Sequence, residues 1–372
     1  MTGPSTPPTP PTPPTPPTPP TPNATNATTA PASTAPTALV GEEFAVRTGP
    51  LRGELLAHCY RMLGSVHDAE DQLQETMLRA WRAYDRYDPE RAGLRTWMFR
   101  IATNTCLTAL EQRSRRPLPS GIGPLNEDPD TPMLRGEEVP WLQPLPDTLL
   151  GDPAVVASAR HTLRLAFVAA LQFLPPRQRA VLILRDVLDW PAAEVAAALD
   201  MTPTAVNSAL RRARDRMAAA EVGEDQVGEP DDPGDRALVE QYVAAFLNAD
   251  LKALEKLLTD DAILEMPPYL GWYRGREIYT RFLARIYTRR GTVWRMRHLR
   301  ANGQPAVAAY VRAPDGDGFV LNTVQVFDIV GGAIRRTTAY QDPEVFAAFR
   351  LPERIVTPTD SEPGAAVPRT TR

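Results

Sequence analysis

Lysine is nearly missing from this chain of 372 residues. Lys252 and Lys256 are the only two, so arginine carries almost all of the positive charge. Cysteine is as scarce: Cys59 and Cys106 lack the spacing of a metal site and the density of a disulfide framework, and are expected as buried free thiols in a reducing compartment. His58, His67 and His161 show no metal-ligand spacing either, so no metal site and no cofactor is expected. No apolar run approaches the roughly 20 residues that span a bilayer. The N-terminus has neither the basic nor the apolar segment of a secretory signal. A cytoplasmic location with no membrane partner is therefore expected. The net charge of −4 excludes a surface coated with positive charge, so any contact with nucleic acid must come from local patches.

Proline, by contrast, is abundant, with 40 residues concentrated at the front and in the linkers. Residues 1–41 form a Thr-Pro-Pro repeat and an Ala/Thr/Asn/Pro tract. That composition blocks helix and ladder formation and reads as a disordered tail. Residues 117–159 are again Pro-rich, acidic and without periodicity, as expected of an extended linker. One apolar island breaks it, Val139-Pro-Trp-Leu-Gln-Pro-Leu-Pro-Asp147. Its Trp141 and Leu142 are unexpected in an inert spacer and suggest docking into a groove. Residues 221–235 carry seven acids and no base and read as a solvated linker, and residues 352–372 as a second disordered tail.

Between these segments lie two helical blocks. In residues 42–116, Ala69, Leu73, Thr76, Met77, Ala80, Trp81 and Tyr84 recur at steps of three and four and predict one buried helix stripe. Asp71, Gln74, Glu75 and Leu78 fall elsewhere on that helix. A second helix, beginning at Leu94, carries Trp97, Phe99 and Asn104 and ends in Arg113, Arg115 and Arg116. In residues 160–220, Asp189 as N-cap and Pro191 open a short helix to residue 199. Asp200-Met201 is the turn, and Thr202-Pro203 opens a last helix to about residue 219. Val206, Leu210, Ala213 and Met217 form its buried stripe, with Thr204, Asn207, Ser208, Arg211 and Arg212 on or near the opposite face. Polar side chains near the N-terminal half of a second helix, backed by arginines, are what a helix-turn-helix uses to read base edges and hold phosphates.

Residues 236–351 change pattern. Two or three helices come first, then candidate strands at 262–266, 292–299, 306–312, 319–330 and 333–340, with Gly331-Gly332 as a hairpin signal. Asp261, Glu265, His298 and Tyr340 are the residues that would line such an α+β cone. They form no compact acid/base pair, and no catalytic residue is assigned. Tyr269, Trp272 and Tyr273 would shape a pocket or an intramolecular docking face.

The order of acidic helix, loop, Trp-bearing helix and Arg tail in residues 55–116 resembles the promoter-melting domain of sigma-70 family sigma factors of the extracytoplasmic-function group. The 189–219 segment resembles their −35-reading domain. The last block resembles SnoaL-like members of the NTF2-like fold, notably at Ala301-Asn-Gly-Gln-Pro-Ala306 and Gly331-Gly-Ala-Ile-Arg335. The resemblance implies a multidomain architecture: two all-α sigma domains, the second with a helix-turn-helix, and a C-terminal α+β cone. It implies core RNA polymerase and promoter DNA as partners. Asp68, Asp71, Gln74, Glu75 and Leu78 would contact polymerase. Arg95, Thr96, Trp97, Arg100, Asn104, Arg113, Arg115 and Arg116 would receive the −10 element, because an opened base needs an aromatic and polar surface beside a basic track. Thr202, Thr204, Asn207, Ser208, Arg211 and Arg212 would read the −35 element. Trp141 and Leu142 would mediate regulation by the third domain, whose cone would accommodate a small ligand. The rival reading is a SnoaL-fold enzyme or ligand sensor on a free-standing helix-turn-helix regulator. Such a regulator needs no melting helix and no polymerase-binding helix.

Overall fold

The computed structural model describes residues 35–111, 115–219 and 233–356. Four helices open the chain: α1 (Ala35–Thr48), α2 (Arg52–Leu63), α3 (Val66–Ala83) and α4 (Leu94–Leu110). Gly64 ends α2 in the left-handed conformation and Ser65 caps α3, its hydroxyl accepting from the Asp68 amide. Leu55, Tyr60, Leu73, Ala80, Met98, Phe99 and both cysteines fill the space between α2, α3 and α4.

After the irregular segment that follows come α5 (Pro153–Leu163), α6 (Leu165–Gln172), α7 (Pro176–Leu182), α8 (Ala192–Leu199) and α9 (Pro203–Ala219). Helix α9 packs on both α7 and α8, with Val195, Leu199, Val206, Ala209, Leu210 and Ala213 buried. Asp189 does not cap α8 as expected. It takes a left-handed φ of 54°, and Pro191 occupies the N-cap position without a side-chain cap.

The third block has α10 (Pro233–Leu247), α11 (Leu251–Lys256) and α12 (Arg276–Arg290). Its strands are β1 (Leu258–Glu265), β2 (Trp272–Arg274), β3 (Trp294–Ala301), β4 (Gln304–Arg312), β5 (Phe319–Val330) and β6 (Ala333–Tyr340). Then come α13 (Pro343–Ala348) and β7 (Arg354–Ile355). The sheet order is β2-β1-β6-β5-β4-β3, with β7 beside the start of β5. Only β1–β6 is parallel among these pairs. The central strands β4 and β5 are buried on both faces, whereas the edge strand β3 is half exposed. Val307, Ala309, Val311, Phe327 and Ile334 face the interior under α10 and α12. Ala306, Val324, Val326 and Tyr340 belong to the core shared with the first two helical blocks. Double burial explains why β4 and β5 read as nearly continuous apolar runs rather than alternating ones.

Four segment ends differ from expectation. Helix α1 begins at Ala35, inside the expected tail, where Pro36 sits in a first turn that tolerates proline. Helix α5 begins at Pro153, inside the expected linker, because Asp152 caps it through the Ala154 amide. Pro233 begins α10 within the acidic stretch. Strand β7 lies in the expected C-terminal tail and pairs with Phe319 and Val320, which β6 leaves uncovered. The Thr/Pro repeat, most of the acidic linker and residues 357–372 fall outside the described residues.

Candidate nucleic-acid interface

Helix α9 presents the expected surface. Thr202, Thr204, Asn207, Arg211 and Arg212 are exposed and Ser208 is half-buried, opposite Val206, Ala209, Leu210 and Ala213. Two other arginines of the helix are committed to the fold. Arg214 grips Asp186 through two bonds of 2.7 and 2.9 Å, and Arg216 donates to Gln178 at 3.2 Å. Arg211 and Arg212 make no ion pair among the described residues, so their charge faces solvent. Met217, expected in the buried stripe, is only half-buried in the last turn.

On α4, Thr96, Trp97, Arg100 and Asn104 share one face by helical spacing. Arg100 and Asn104 are exposed; Trp97 is half-buried, its ring 5.0 Å from that of Tyr87. Arg95 stands apart, paired with Glu54 at 2.8 Å and lying over Phe99. Arg115 lies over Phe173. Arg116 is turned inward: it pairs with Asp68 at 2.7 Å and donates to the Trp141 carbonyl at 3.3 Å. This corrects the expectation for two residues. Asp68 and Arg116 neutralise each other beneath the surface, so in this conformation the first does not face a protein partner and the second does not face phosphate. Arg113 lies outside the described residues. The outer stripe of α3 keeps Asp71, Gln74 and Leu78 exposed, with Glu75 tied to Arg79 at 2.6 Å.

The linker island is clamped from two sides. Trp141 turns toward the third block: its indole N–H donates to the Gly136 carbonyl at 2.9 Å, and its ring and Leu270 crowd the Gly136 Cα, where a Cβ would have no room. Leu142 turns the other way, onto Gly64 at the α2–α3 turn. Gln143 joins both sides. Its Oε1 accepts from Ser65 Oγ at 2.9 Å and the Val66 amide at 3.1 Å, while its Nε2 donates to Glu344 at 3.1 Å.

Sequence reasoning missed the residue at the centre of this arrangement. Asn302, in the β3–β4 turn, is fully buried with φ 58°. Its Oδ1 accepts from the Leu145 amide at 2.8 Å; its Nδ2 donates to Tyr60 Oη at 2.8 Å and to the Leu163 carbonyl at 2.7 Å. One amide thus reaches the first helical block, the linker and the second helical block. Next to it, Gln304 accepts from the Leu165 amide at 2.8 Å. Arg164 of the second block pairs with Asp328 of β5, which Arg335 also holds at 2.7 Å. Burial alone would push the Asp328 carboxyl up, but Arg164 and Arg335 outweigh it and hold it below the ordinary carboxylate range. Arg179 on α7 is buried and donates to the carbonyls of Met62, Gln172 and Leu174, docking the second block on the open end of α2.

Family models match all three blocks: Sigma-70 region 2 over residues 50–116, Sigma-70 region 4 over 164–217, and a SnoaL-like domain over 239–337. The ECF RNA polymerase sigma factor SigG of Mycobacterium tuberculosis is 47% identical over 317 residues, covering 84% of this chain and 85% of that one. The chain belongs to the ECF RNA polymerase sigma factors. A second relative, SigJ of the same organism, is 27% identical over 319 residues, covering 83% of this chain and 95% of its own. The crystal structure of Mycobacterium tuberculosis SigJ superposes with a TM-score of 0.58 at 23% identity, over 85% of this chain and all of that one, and so shares the fold. As a sigma factor the protein directs core RNA polymerase to promoters, so its helix-turn-helix is not that of a free-standing regulator. No single helix among the described residues is long and apolar enough to cross a membrane.

The residues expected to line the cone of this sigma factor's third domain do not converge. Asp261 is exposed near Arg274, and His298 is exposed on β3. Glu265 is fully buried but pairs with Arg336 at 2.8 Å and accepts from the Ser120 amide at 3.1 Å. Tyr340 faces the core shared with the sigma regions. Inside the cone, Tyr242, Tyr279, Thr337 and Gln325 form a hydrogen-bonded chain. The space left there is about 40 Å³, room for a water or two rather than a small-molecule ligand.

Proposed function

We propose that the SnoaL-like domain of this sigma factor is a non-catalytic clamp that holds the two sigma regions in a closed form, and that promoter recognition requires its release. The observation that carries this reading is the Asn302 side chain, which bonds region 2, the linker and region 4 at once. Magnitudes support it. Helix α4 packs on α7, and α7 on α9. Two interaxial distances put the DNA-reading helices about 20 Å apart. Elements at −35 and −10 are separated by about 25 base pairs, or about 85 Å of B-DNA. A closed chain therefore engages one element at most. Trp141 and Leu142 serve as the seat of the clamp.

In the open form, Asp71, Gln74, Glu75 and Leu78 take the polymerase, Thr96, Trp97, Arg100 and Asn104 the −10 element, and the exposed face of α9 the −35 element. The filled cone, and the absence of a converging acid/base set among its described residues, support the non-catalytic reading. The protein acts in the compartment that holds the chromosome.

Run-off transcription with purified core polymerase tests the clamp. Asn302→Ala is expected to give more transcript than wild type at equal concentration; equal or reduced transcript from a folded variant refutes it. Separately, Arg211→Ala should weaken promoter binding by about 1–3 kcal/mol and relax specificity at one −35 position if it grips a base. If it holds phosphate only, the loss should be the same for every sequence.

A further inference from the structure

From Ile278 to Pro314 the chain has eight arginines and one histidine and not a single Asp or Glu, in a protein whose net charge is −4. Three of the eight are tied to the segment that joins the two sigma regions, and Arg312 donates to the Gly316 carbonyl of its own hairpin at 3.3 Å. Arg281 pairs with Asp128 at 3.4 Å, Arg285 donates to the Pro129 carbonyl, and Arg300 pairs with Asp147 at 3.3 Å. The other five, Arg289, Arg290, Arg295, Arg297 and Arg312, are all exposed and have no acid partner among the described residues. The fold gathers three of them on one face. Arg289 and Arg290 end α12, and β3 starts four residues later. Arg295 and Arg297 pair across to Tyr310 and Ala308, and Arg312 follows Val311, the partner of Trp294, so these three side chains share the outer face of the sheet. Arg295 lies over Phe319 at 4.9 Å, which holds its guanidinium in place. The acids that follow the stretch, Asp315 and Asp317, are taken up by Arg354 at 2.8 and 4.0 Å.

A cationic edge strand can serve to block edge-to-edge pairing. That purpose needs only one or two charges and no exclusion of acids over 37 residues. Three guanidinium groups without an acid partner on one sheet face, with Arg289 and Arg290 at the end of the preceding helix, match a regular array of phosphates, each of which a guanidinium can grip through two bonds. We propose that this corner of the third domain is a sequence-independent contact for the phosphate backbone of duplex DNA, separate from the surfaces of α4 and α9. It adds to promoter affinity without adding to its specificity.

The test is binding of promoter DNA by the full-length protein with core polymerase, titrated at about 50 to 200 mM salt. The triple variant R295A/R297A/R312A should flatten the slope of log K against log[salt] by about two to three units, close to 0.9 for each phosphate no longer neutralised. It should weaken binding about tenfold or more at the low-salt end, by the same factor on promoter and on scrambled duplex. The triple variant R295K/R297K/R312K should keep most of the wild-type slope, because it keeps the charge. K252A/K256A, on α11, should leave the slope unchanged. An unchanged slope for the alanine triple overturns the proposal. So does a loss of transcript with DNA binding intact, which would assign the face to polymerase, and so does a slope reduced equally in the lysine triple, which would mark a structural role.

Discussion

The two faces of the third domain's sheet are both packed over its central strands, and they differ in what they do with polar groups. The inner face closes on itself: Tyr242, Tyr279, Thr337 and Gln325 satisfy one another, leaving about 40 Å³. The outer face and its β3–β4 turn send polar groups out to other parts of the chain, from Asn302, Gln304 and Asp328 to Tyr60, Leu145, Leu163, Arg164 and Leu165. The lesson is that a fold built around a cavity can fill the cavity and move its specific recognition to the outside. Polar groups inside then stabilise one domain, whereas those outside set the arrangement of three.

Substitutions on the two faces should therefore have different reach. Asn302→Ala is the most damaging. It strands the Leu145 amide and the Leu163 carbonyl in a buried setting, at about 1–3 kcal/mol for each unsatisfied group, and places alanine at a positive φ. The closed form should lose about 3–5 kcal/mol, read as faster hydrogen exchange at the Leu145 amide while exchange within β5 and β6 stays slow. Uniform acceleration throughout the third domain would mean that Asn302 supports the domain and not the clamp.

Acidification tests the sigma core independently of the clamp. His58 is buried in region 2, its Nε2 2.9 Å from Thr103 Oγ1, and burial followed by the charges of Arg61 and Arg95 pushes its pKa down to about 3. The folded chain thus binds fewer protons than the unfolded one between pH 6.5 and about 3. Stability is fully present above pH 6.5 and should fall by about 1.4 kcal/mol per pH unit through that window. His58→Phe should remove most of this slope in equilibrium unfolding. A slope that survives the substitution places the acid sensitivity elsewhere.

The smallest effect belongs to the inner face. Tyr279→Phe deletes one donor, that to Thr337 at 2.9 Å, while Tyr242 keeps Gln325. A loss of about 1 kcal/mol in stability is expected, with promoter-dependent transcription unchanged. Altered transcription would mean the cone communicates with the sigma regions after all.

Much of this was legible in the sequence where local signals decide. The recognition helix ends where the Thr202-Pro203 start and the apolar stripe put it, and β3 to β6 follow runs visible along the chain. Strand β2 was not legible, because three residues carry no period. The inward turn of Asp68 and Arg116 was hidden for a different reason. A carboxylate on a helix stripe looks the same in sequence whether solvent or an arginine 48 positions away receives it. Asn302 is the sharpest case. Asn-Gly between strands signals a tight turn, and that signal is correct, but nothing local says that the same amide meets Tyr60, 242 positions earlier in the chain. Long-range polar contacts lie beyond what periodicity reports. The apolar island at Trp141 was visible as an anomaly, since large apolar side chains need cover; which surfaces cover it emerges only from the fold.

The central claim is that the sigma regions are held close together in the free chain and must separate on a promoter. Cys59 and Cys106 are buried, so spin or fluorescent labels can be directed to Glu111→Cys at the end of α4 and Asp215→Cys on α9, both exposed. The distance between them should be below about 40 Å in the free protein, given helices of this length set two interaxial distances apart. It should exceed about 60 Å in the complex with core polymerase and promoter DNA, set by the spacing of the two elements. A long distance in the free protein, or a short one retained on the promoter, would contradict the clamp.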